Sequence, residues 1–362
     1  MKNYLGMGTG SAESAVEQAT RGIGTPSMIL FITSYAQAAE VAASIARRYP
    51  DIPSIGTIGT KLVNGTVSDD NVAVMGLYED ATVRCGVIEQ ISVCPIVSIL
   101  EVERAVDSVG PGREDTLLLE YCTNNEEKLV TTFTSCLEKR RIKLAGGTVF
   151  GAPEGAASVV AYNGRLYEDA CVYAVIKNTT GRVQVYKENI YERQSENHHF
   201  ATKVDTERKA LIELDGRPAA DVYGEEIGIP KKQIVDNVLR NPMGRVVGKQ
   251  VFISSMNGLE PDGTLLNYKQ INQNDCIYFL KLGDYKAIEQ KTREQIRSEM
   301  KSISLVISID CIYRYVLYSG EGYFDTYAKD MSALGNHIGI ISGGEQINNQ
   351  HVNQTMVCAV FE

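Results

Sequence analysis

The stretch from Leu117 to Gly151 decides the fold. It opens with LLLEYC (residues 117–122), a short apolar run typical of a buried strand, and it closes with LAGGTVFG (residues 144–151), a glycine-rich strand end. The segment between them predicts a helix with one apolar face, because apolar residues recur there at four-residue spacing, namely Leu129, Phe133 and Leu137. The stretch therefore predicts a strand–helix–strand unit.

The same order of elements occurs on both sides of this stretch. MILFITS (28–34) leads through a helical segment to the glycine-rich IGTIGT (55–60), and SLVISI (304–309) leads to IGIISGGE (338–345). The Asn-Gly dipeptide at 163–164, between two apolar runs, adds a strong hairpin signal. We predict a structural repeat. The alternative is a chance recurrence of an order that is common in proteins with alternating helices and strands.

These patterns predict an α+β (mixed α/β) fold. Its repeated strand–helix–strand–hairpin units would pack helices on mixed or antiparallel sheets, because hairpins alternate with crossovers. A chain of 362 residues has room for two domains. A β-rich region with a polar stretch at 195–199 places the boundary near residue 205. The predicted domains are therefore 1–205 and 206–362.

Composition excludes several classes of function. Asp and Glu (45) outnumber Lys and Arg (36), and the net charge of −9 argues against binding nucleic acid through phosphate contacts. No apolar run is long enough to span a membrane and the start lacks a signal peptide, so we expect a cytoplasmic protein. The eight cysteines form no CxxC pair, and the sequence predicts no metal site.

Two histidines near the end of the chain are candidate ligands. His337 and His351 flank the Gly343–Glu345 turn, and either could ligate a haem or act as an acid–base group. The alternative is a hydrogen-bonded structural histidine. No CxxCH motif is present, which excludes covalent c-type haem.

Cys311 and Arg314 form a second candidate pair. If the chain turns helical there, their three-residue offset places both on one face. Arg314 could then bind a carboxylate or another anion in bidentate fashion, and a nearby cation would activate the thiol. The alternative is a buried cysteine beside an ion-paired arginine. Hydrolase, zincin and kinase motifs are absent, so we expect no enzyme.

Several motifs, in this order along the chain, resemble the FIST family, whose N-terminal and C-terminal domains are sensory domains of bacterial signal-transduction proteins. The most specific is ELDGRPAADVY at 213–223, which is similar to the family pattern E-L-D-G-K-P-A with a Tyr after it. The weaker matches are GMGTGS (6–11), MILFITS (28–34), Gly146-Gly147, NGRLY (163–167), DGTL (262–265), Cys311 with Arg314, Gly344-Glu345 and NQTM (353–356). The resemblance covers nearly the whole chain.

The resemblance implies a non-catalytic, stand-alone sensory module in the cytoplasm. It would bind a small molecule, such as an amino acid or a small anion, and would signal through a separate protein partner. Some family members bind haem through a histidine and sense nitric oxide. The sequence departs from the family pattern in two places. GTIGTK (56–61) replaces a cysteine-containing turn, and Val352 separates His351 from Asn353, which are adjacent residue types in the family pattern. The second departure concerns the implied haem histidine.

We predict a ligand pocket between the two halves, lined by the glycine-rich turns. Arg314 would hold an anion, with Glu345, Asn353 and Thr355 as polar contacts. One alternative is a haem-binding gas sensor that uses His351 or His337, and a second is an enzyme with Cys311 as nucleophile. The predicted ligand-binding residues are Gly56, Thr57, Gly59, Gly146, Gly147, Cys311, Arg314, Gly343, Gly344, Glu345, Asn353 and Thr355.

Overall fold

The structure, a computed structural model, describes residues 1–248 and 250–362. The chain divides into two units. The first comprises Met1–Lys187, Arg293–His351 and Met356–Glu362, and the second comprises Glu188–Thr292 and Val352–Thr355. Both units are made of segments that are distant in the sequence, so they do not test the predicted domain boundary near residue 205. That boundary stays a prediction.

The described residues form 27 strands and eight α-helices. The first strands are β1 (Asn3–Gly8), β2 (Met28–Thr33), β3 (Ser54–Ile58), β4 (Lys61–Val63), β5 (Thr66–Ser68), β6 (Val72–Leu77), β7 (Ala81–Glu89), β8 (Thr116–Cys122) and β9 (Lys143–Thr148). They continue with β10 (Val160–Tyr162), β11 (Arg165–Tyr167), β12 (Ala170–Asn178), β13 (Val183–Asn189), β14 (Tyr191–Arg193), β15 (His199–Asp205), β16 (Ala210–Leu214), β17 (Arg217–Pro218) and β18 (Met243–Val247). The last are β19 (Gln250–Ser254), β20 (Met256–Leu259), β21 (Leu265–Asn267), β22 (Cys276–Leu282), β23 (Leu305–Cys311), β24 (Asn336–Ser342), β25 (Glu345–Ile347), β26 (Gln350–Val352) and β27 (Thr355–Phe361). The helices are α1 (Ala12–Ala19), α2 (Ala38–Arg48), α3 (Ile99–Ser108), α4 (Glu126–Leu137), α5 (Ala219–Ile227), α6 (Tyr285–Glu299), α7 (Ile312–Gly320) and α8 (Phe324–Ser332).

Three sheets of the first unit share one plan, which confirms the predicted repeat. Each centres on a parallel pair, β2 with β3, β8 with β9, and β23 with β24. In each, the first strand of that pair also pairs with an antiparallel strand from later in the chain, β6, β12 or β27. The predicted α+β class with mixed sheets is confirmed.

The hairpin of each repeat adds to the sheet of another repeat. The β4–β5 hairpin pairs with β24, β10–β11 pairs with β3, and β25–β26 pairs with β9. Every one of the three sheets therefore contains strands from two repeats. This exchange brings the glycine-rich turns, which connect each parallel pair to its hairpin, into one region of the unit.

A shared register explains one glycine in each repeat. Gly56 lies beside Phe31, Gly146 beside Glu120, and Gly339 beside Ser308 in the parallel pairs. A Cβ atom on these glycines would lie 2.1 Å from the Phe31 ring, 2.3 Å from the Glu120 carboxylate and 2.3 Å from Ser308 Oγ, respectively. Each glycine therefore makes room for a side chain of the neighbouring strand.

Helices cover the outer faces of these sheets. In the first repeat, apolar side chains of α1 and α2 pack on β2 and β6, and the buried cluster includes Val16, Ile45, Phe31 and Val74. In the second repeat, α3 and α4 pack on β8 and β12 in the same way, through residues such as Val106 and Phe133. All six residues of β2 and all seven of β8 and β23 are buried, which explains why these strands read as continuous apolar runs.

The second unit contains a larger antiparallel sheet with α5 beside it. Its strand order is β19-β18-β22-β15-β16-β21-β20, with β14 added to β22 and β17 to β16. Residues 231–239 form two short 3-10 turns, Lys231–Gln233 and Asp236–Leu239. Pro230 directly precedes the first turn. No described helix is long and apolar enough to cross a membrane.

Candidate functional site

The glycine-rich turns of the three repeats meet in the first unit. The backbone N–H of Gly343 donates to the Thr148 carbonyl (2.9 Å), which joins the third turn to the second. A Cβ atom on Gly59 would lie 3.2 Å from the carbonyl oxygens of both Ile341 and Phe150, so the first turn touches the other two. The structure therefore brings together three turns that are far apart in the sequence.

The predicted glycines on the strands beside these turns have a packing role. Gly56 and Gly146 make room for neighbouring side chains, as described above. Gly147 does the same for β23, because a Cβ there would lie 2.6 Å from Ile309 Cγ2. Thr57 is buried on β3. The predicted contact of these residues with a ligand stays a prediction.

Arg314 lies in a buried cluster at the start of α7. Its side chain is completely buried, and Nε lies 3.7 Å from Asp310 Oδ1. The guanidinium carbon lies 5.1 Å from the ring centroid of Tyr318 and 5.4 Å from that of Tyr327. The Tyr327 hydroxyl donates to Asp310 Oδ1 (2.6 Å). We call Asp310, Arg314, Tyr318 and Tyr327 the Arg314 cluster.

The Arg314 cluster forms because a strand runs directly into a helix. β23 ends at Cys311, which has extended backbone angles and caps α7. Asp310 and Arg314 are four residues apart across this junction and form an ion pair. The sequence pattern placed Cys311 on the helix with Arg314, but α7 begins one residue later. Asp310 and Tyr327 were missed, although the i, i+4 spacing of Asp310 and Arg314 is a recognisable signal.

A second set of buried polar groups surrounds the turn after β24. Ser342 Oγ donates to Glu345 Oε1 (2.9 Å), and Gln346 Nε2 donates to Thr148 Oγ1 (3.1 Å). The Thr148 hydroxyl in turn donates to Glu126 Oε1 (3.0 Å). All five side chains are buried. We call Ser342, Glu345, Gln346 and Thr148 the turn network, which ends at Glu126.

Two carboxylates and an imidazole lie together beside the turn network. Glu126 and Glu127 are the first residues of α4, and His351 lies on β26. One ligand atom from each of the three side chains lies within 4.8 Å of the other two. His351 Nδ1 is 3.3 Å from Glu127 Oε1. We call these residues the acid–histidine cluster, and its donor atoms suit a divalent cation.

The environments of the two candidate haem ligands differ. His337 is completely buried on β24, with Nε2 2.8 Å from Ser308 Oγ, and burial lowers its pKa to about 4. The ring of His337 is therefore neutral and enclosed by its own strand pair. His351 lies beside carboxylate oxygens, a donor set more typical of a hard or borderline cation than of haem. Haem binding stays a prediction.

Asn353 and Thr355 belong to the second unit. There, Asn353 Oδ1 accepts a hydrogen bond from the backbone N–H of Ser255 (3.5 Å). Thr355 is the first residue of β27 and is buried. The predicted role of these two residues as polar contacts for a ligand stays a prediction.

Sequence reasoning missed two buried ionisable side chains of the first unit. Lys61 donates from Nζ to the Asp69 carbonyl (2.8 Å), and burial lowers its pKa to about 8. Burial also raises the pKa of Glu120 to about 8, and the Cys171 thiol lies 3.4 Å from its Oε2. Both residues lie on strands that read as ordinary buried segments, so neither spacing nor composition marks them.

Two open cavities of the first unit contain charged side chains in their walls. One of about 530 Å³ is lined by residues including Asp69, Asp70 and Asp325. The three carboxylates in its wall disfavour an anion there. Another of about 390 Å³ is lined by residues including Arg113, Arg141 and Lys143, at the start of β9.

Comparison with known proteins identifies two family models that match the chain. The FIST N domain model matches residues 27–217, and the FIST C domain model matches residues 219–348. No curated protein sequence matches the chain. Among solved structures, this chain is similar to a crystal structure of cyanuric acid hydrolase from A. caulinodans. The match covers 49% of this chain and 72% of the hydrolase chain, at 10% sequence identity and a TM-score of 0.27. A similarity that low supports no argument about fold or function.

Proposed function

The chain belongs to the FIST family, and from this membership we propose that it is a sensory module for a small ligand. FIST domains are sensory domains of signal transduction rather than catalysts. We infer that the ligand is an amino acid or another small anion and that the module works in the cytoplasm through a separate protein partner. The ligand would bind at the Arg314 cluster and the turn network.

The observation that carries this proposal is the completely buried guanidinium of Arg314 beside other buried polar groups. The Arg314 cluster and the turn network are continuous, because Ser342 Oγ also lies 3.4 Å from the Asp310 carbonyl oxygen. Burying charged groups costs free energy that a hydrophobic core would not incur. Such a concentration of them is typical of a functional site.

The side chains present favour a zwitterionic ligand. A guanidinium binds a carboxylate through two parallel hydrogen bonds, which a lysine cannot do. The Glu345 carboxyl group, also completely buried, offers oxygen acceptors that suit an ammonium group. An α-amino acid carries both groups a few ångströms apart. We therefore expect amino acids to bind better than simple carboxylates such as acetate.

A ligand screen with matched variants tests this proposal. Protein amino acids and acetate would be compared by thermal shift and native mass spectrometry on the full chain, since a ligand that binds the folded state raises Tm. We expect Arg314→Lys and Glu345→Gln to weaken the binding of the best amino acid by about tenfold or more. Glu120→Gln, another substitution of a buried glutamate in the first unit, is the control and should bind normally.

Three outcomes would contradict the proposal. The first is a folded wild-type chain that binds none of the amino acids. The second is unchanged affinity in folded Arg314→Lys and Glu345→Gln variants. The third is a Soret band on protein purified with haem supplied, if that band disappears in His351→Ala, because it would establish the haem-based gas sensor instead. Specific labelling of Cys311 by a thiol reagent would reopen the enzymatic alternative, although this side chain is buried.

A further inference from the structure

We propose that Glu126, Glu127 and His351 bind a first-row divalent cation, Zn²⁺ or Mn²⁺. The ligand atoms of these three side chains lie within 4.8 Å of one another, and each comes from a regular element of the first unit. This inference stands on the acid–histidine cluster alone. It does not depend on the amino acid ligand proposed above.

The buried imidazole is an observation independent of the two carboxylates. His351 is only 5% exposed, and its Nε2 has no hydrogen-bond partner among the residues that the structure describes. Burying this nitrogen without a partner costs free energy, so the ring is held in its position at a cost. Its Nδ1 faces Glu127 at 3.3 Å, so the ring lies against the carboxylates rather than away from them.

The two glutamates are held close together despite their like charge. They are consecutive residues at the start of α4, and Glu126 is buried. Two neighbouring carboxylates repel each other, and burial strengthens that repulsion because the local dielectric constant is low. The positive end of the helix dipole offsets part of this cost. A divalent cation between the carboxylates would replace the remaining repulsion by attraction.

A neighbouring hydroxyl orients one of the proposed ligands. The Thr148 hydroxyl donates to Glu126 Oε1, and Thr148 is itself a hydrogen-bond acceptor for Gln346 Nε2. This hydrogen bond restrains the rotation of the Glu126 carboxylate. Hydrogen bonds of this kind typically support metal ligands in proteins.

A second histidine, His199, also contacts two carboxylates, but its geometry does not suit a shared cation. In the second unit, His199 contacts Asp215 Oδ2 through Nδ1 (2.6 Å) and Glu226 Oε2 through Nε2 (2.9 Å). Its two carboxylates therefore lie on opposite edges of the ring and cannot share one ion with it. His199 is a matched control, because it has the same chemistry without the convergent geometry.

The donor set selects the class of cation. Imidazole nitrogen is a common ligand of Zn²⁺ and other first-row metals, whereas Mg²⁺ and Ca²⁺ prefer oxygen alone. No thiolate belongs to this group of described residues, which disfavours copper(I). Two carboxylates and one imidazole leave room for water or a ligand in the remaining coordination positions.

Metal titration of the full chain tests the proposal. Chelator-stripped protein would be titrated with Zn²⁺ alone and with Mn²⁺ alone, and bound metal would be counted by elemental analysis after buffer exchange. We expect about one tightly bound ion per chain. His351→Ala and Glu127→Gln should weaken its binding at least tenfold, as the loss of a ligand does. His199→Ala should bind like the wild type.

Two results would overturn the proposal. One is a wild-type chain that retains neither cation in stoichiometric amount. The other is equal retention of the cation by the wild type and by Glu127→Gln. This substitution keeps the size of the side chain, so the variant is expected to fold even if His351→Ala does not. Circular dichroism of each variant would establish that it is folded. The cation measurement does not involve an amino acid, so its failure would leave the proposed sensory function intact.

Discussion

At the scale of single residues, burial determines the protonation state of several side chains. Glu120 and Lys61 are both buried on strands of the first unit, and each has a pKa shifted to about 8. His337 has a pKa lowered to about 4. In all three cases desolvation is the largest cause, because it disfavours the charged form of the group.

We expect Glu120 to make the free energy of unfolding fall with rising pH. Its pKa is 4.5 in a solvated chain and about 8 in the folded protein, so the unfolded state loses its proton first. The free energy of unfolding should therefore decrease between pH 4.5 and 8, by about 4 kcal/mol from this group alone. Glu120→Gln cannot ionise and should lack this decrease, which makes it more stable than the wild type at pH 8.

Urea unfolding of both proteins at pH 5 and at pH 8 measures this effect. The groups that face Glu120 are the thiols of Cys171 and Cys122 and the carboxylate of Glu126. Burial also raises the pKa of Cys171 well above its usual value, so this thiol stays protonated over the same range. Equal pH dependence in the wild type and the variant would show that Glu120 is ionised in the folded protein.

At the scale of elements, the parallel strand pairs depend on one glycine each. Gly56, Gly146 and Gly339 occupy corresponding positions, and in each case the neighbouring strand fills the space that a Cβ would need. The three neighbours, Phe31, Glu120 and Ser308, differ completely in chemistry. All three repeats therefore need a residue without a Cβ at this position, whichever side chain the neighbouring strand places there.

Gly56→Ala should destabilise the protein by about 2 kcal/mol or more, because overpacking a core forces side chains and backbone to shift. Its new Cβ would lie 2.1 Å from the Phe31 ring. Gly320→Ala is the control: this glycine ends α7, and a Cβ there meets nothing within 4 Å. Thermal unfolding would compare the two variants. The idea fails if both have the same Tm.

A double variant separates the steric cause from other causes. Phe31→Leu shortens the side chain that opposes Gly56, so Gly56→Ala should cost less in that background than in the wild type. Additive effects of the two substitutions would contradict the proposed contact, because residues that touch are expected to be coupled.

At the scale of the whole molecule, the three repeats exchange hairpins. The β4–β5 hairpin pairs with β24, where Val63 lies opposite Ile338, 275 residues further along the chain, and β9 pairs with β25. A fragment that ends before β23 therefore lacks three of the six strands of the sheet that contains β4 and β5, namely β23, β24 and β27. The first unit needs both ends of the chain to complete its sheets.

A fragment of residues 1–205 should therefore not fold cooperatively on its own. It lacks β23, β24 and β25, so the β4–β5 hairpin and the edge of β9 would lose their partners. Thermal melting followed by circular dichroism, and the chemical-shift dispersion of amide protons in NMR spectra, would compare the fragment with the full chain. Co-expression with residues 293–362 should restore a folded species. A cooperative transition of the isolated fragment would contradict this account of the fold.

The sequence alone determined the local elements of this protein. Apolar runs, four-residue spacing and glycine-rich strand ends sufficed to predict three strand–helix–strand units, and motif order sufficed to predict the FIST family, because both are properties of neighbouring residues. Only the tertiary structure decided which hairpin joins which sheet. It also decided that Asp310 meets Arg314 and Tyr327, and that Glu126 and Glu127 meet His351. Those contacts join residues up to 225 positions apart through strand register, which local sequence patterns do not encode.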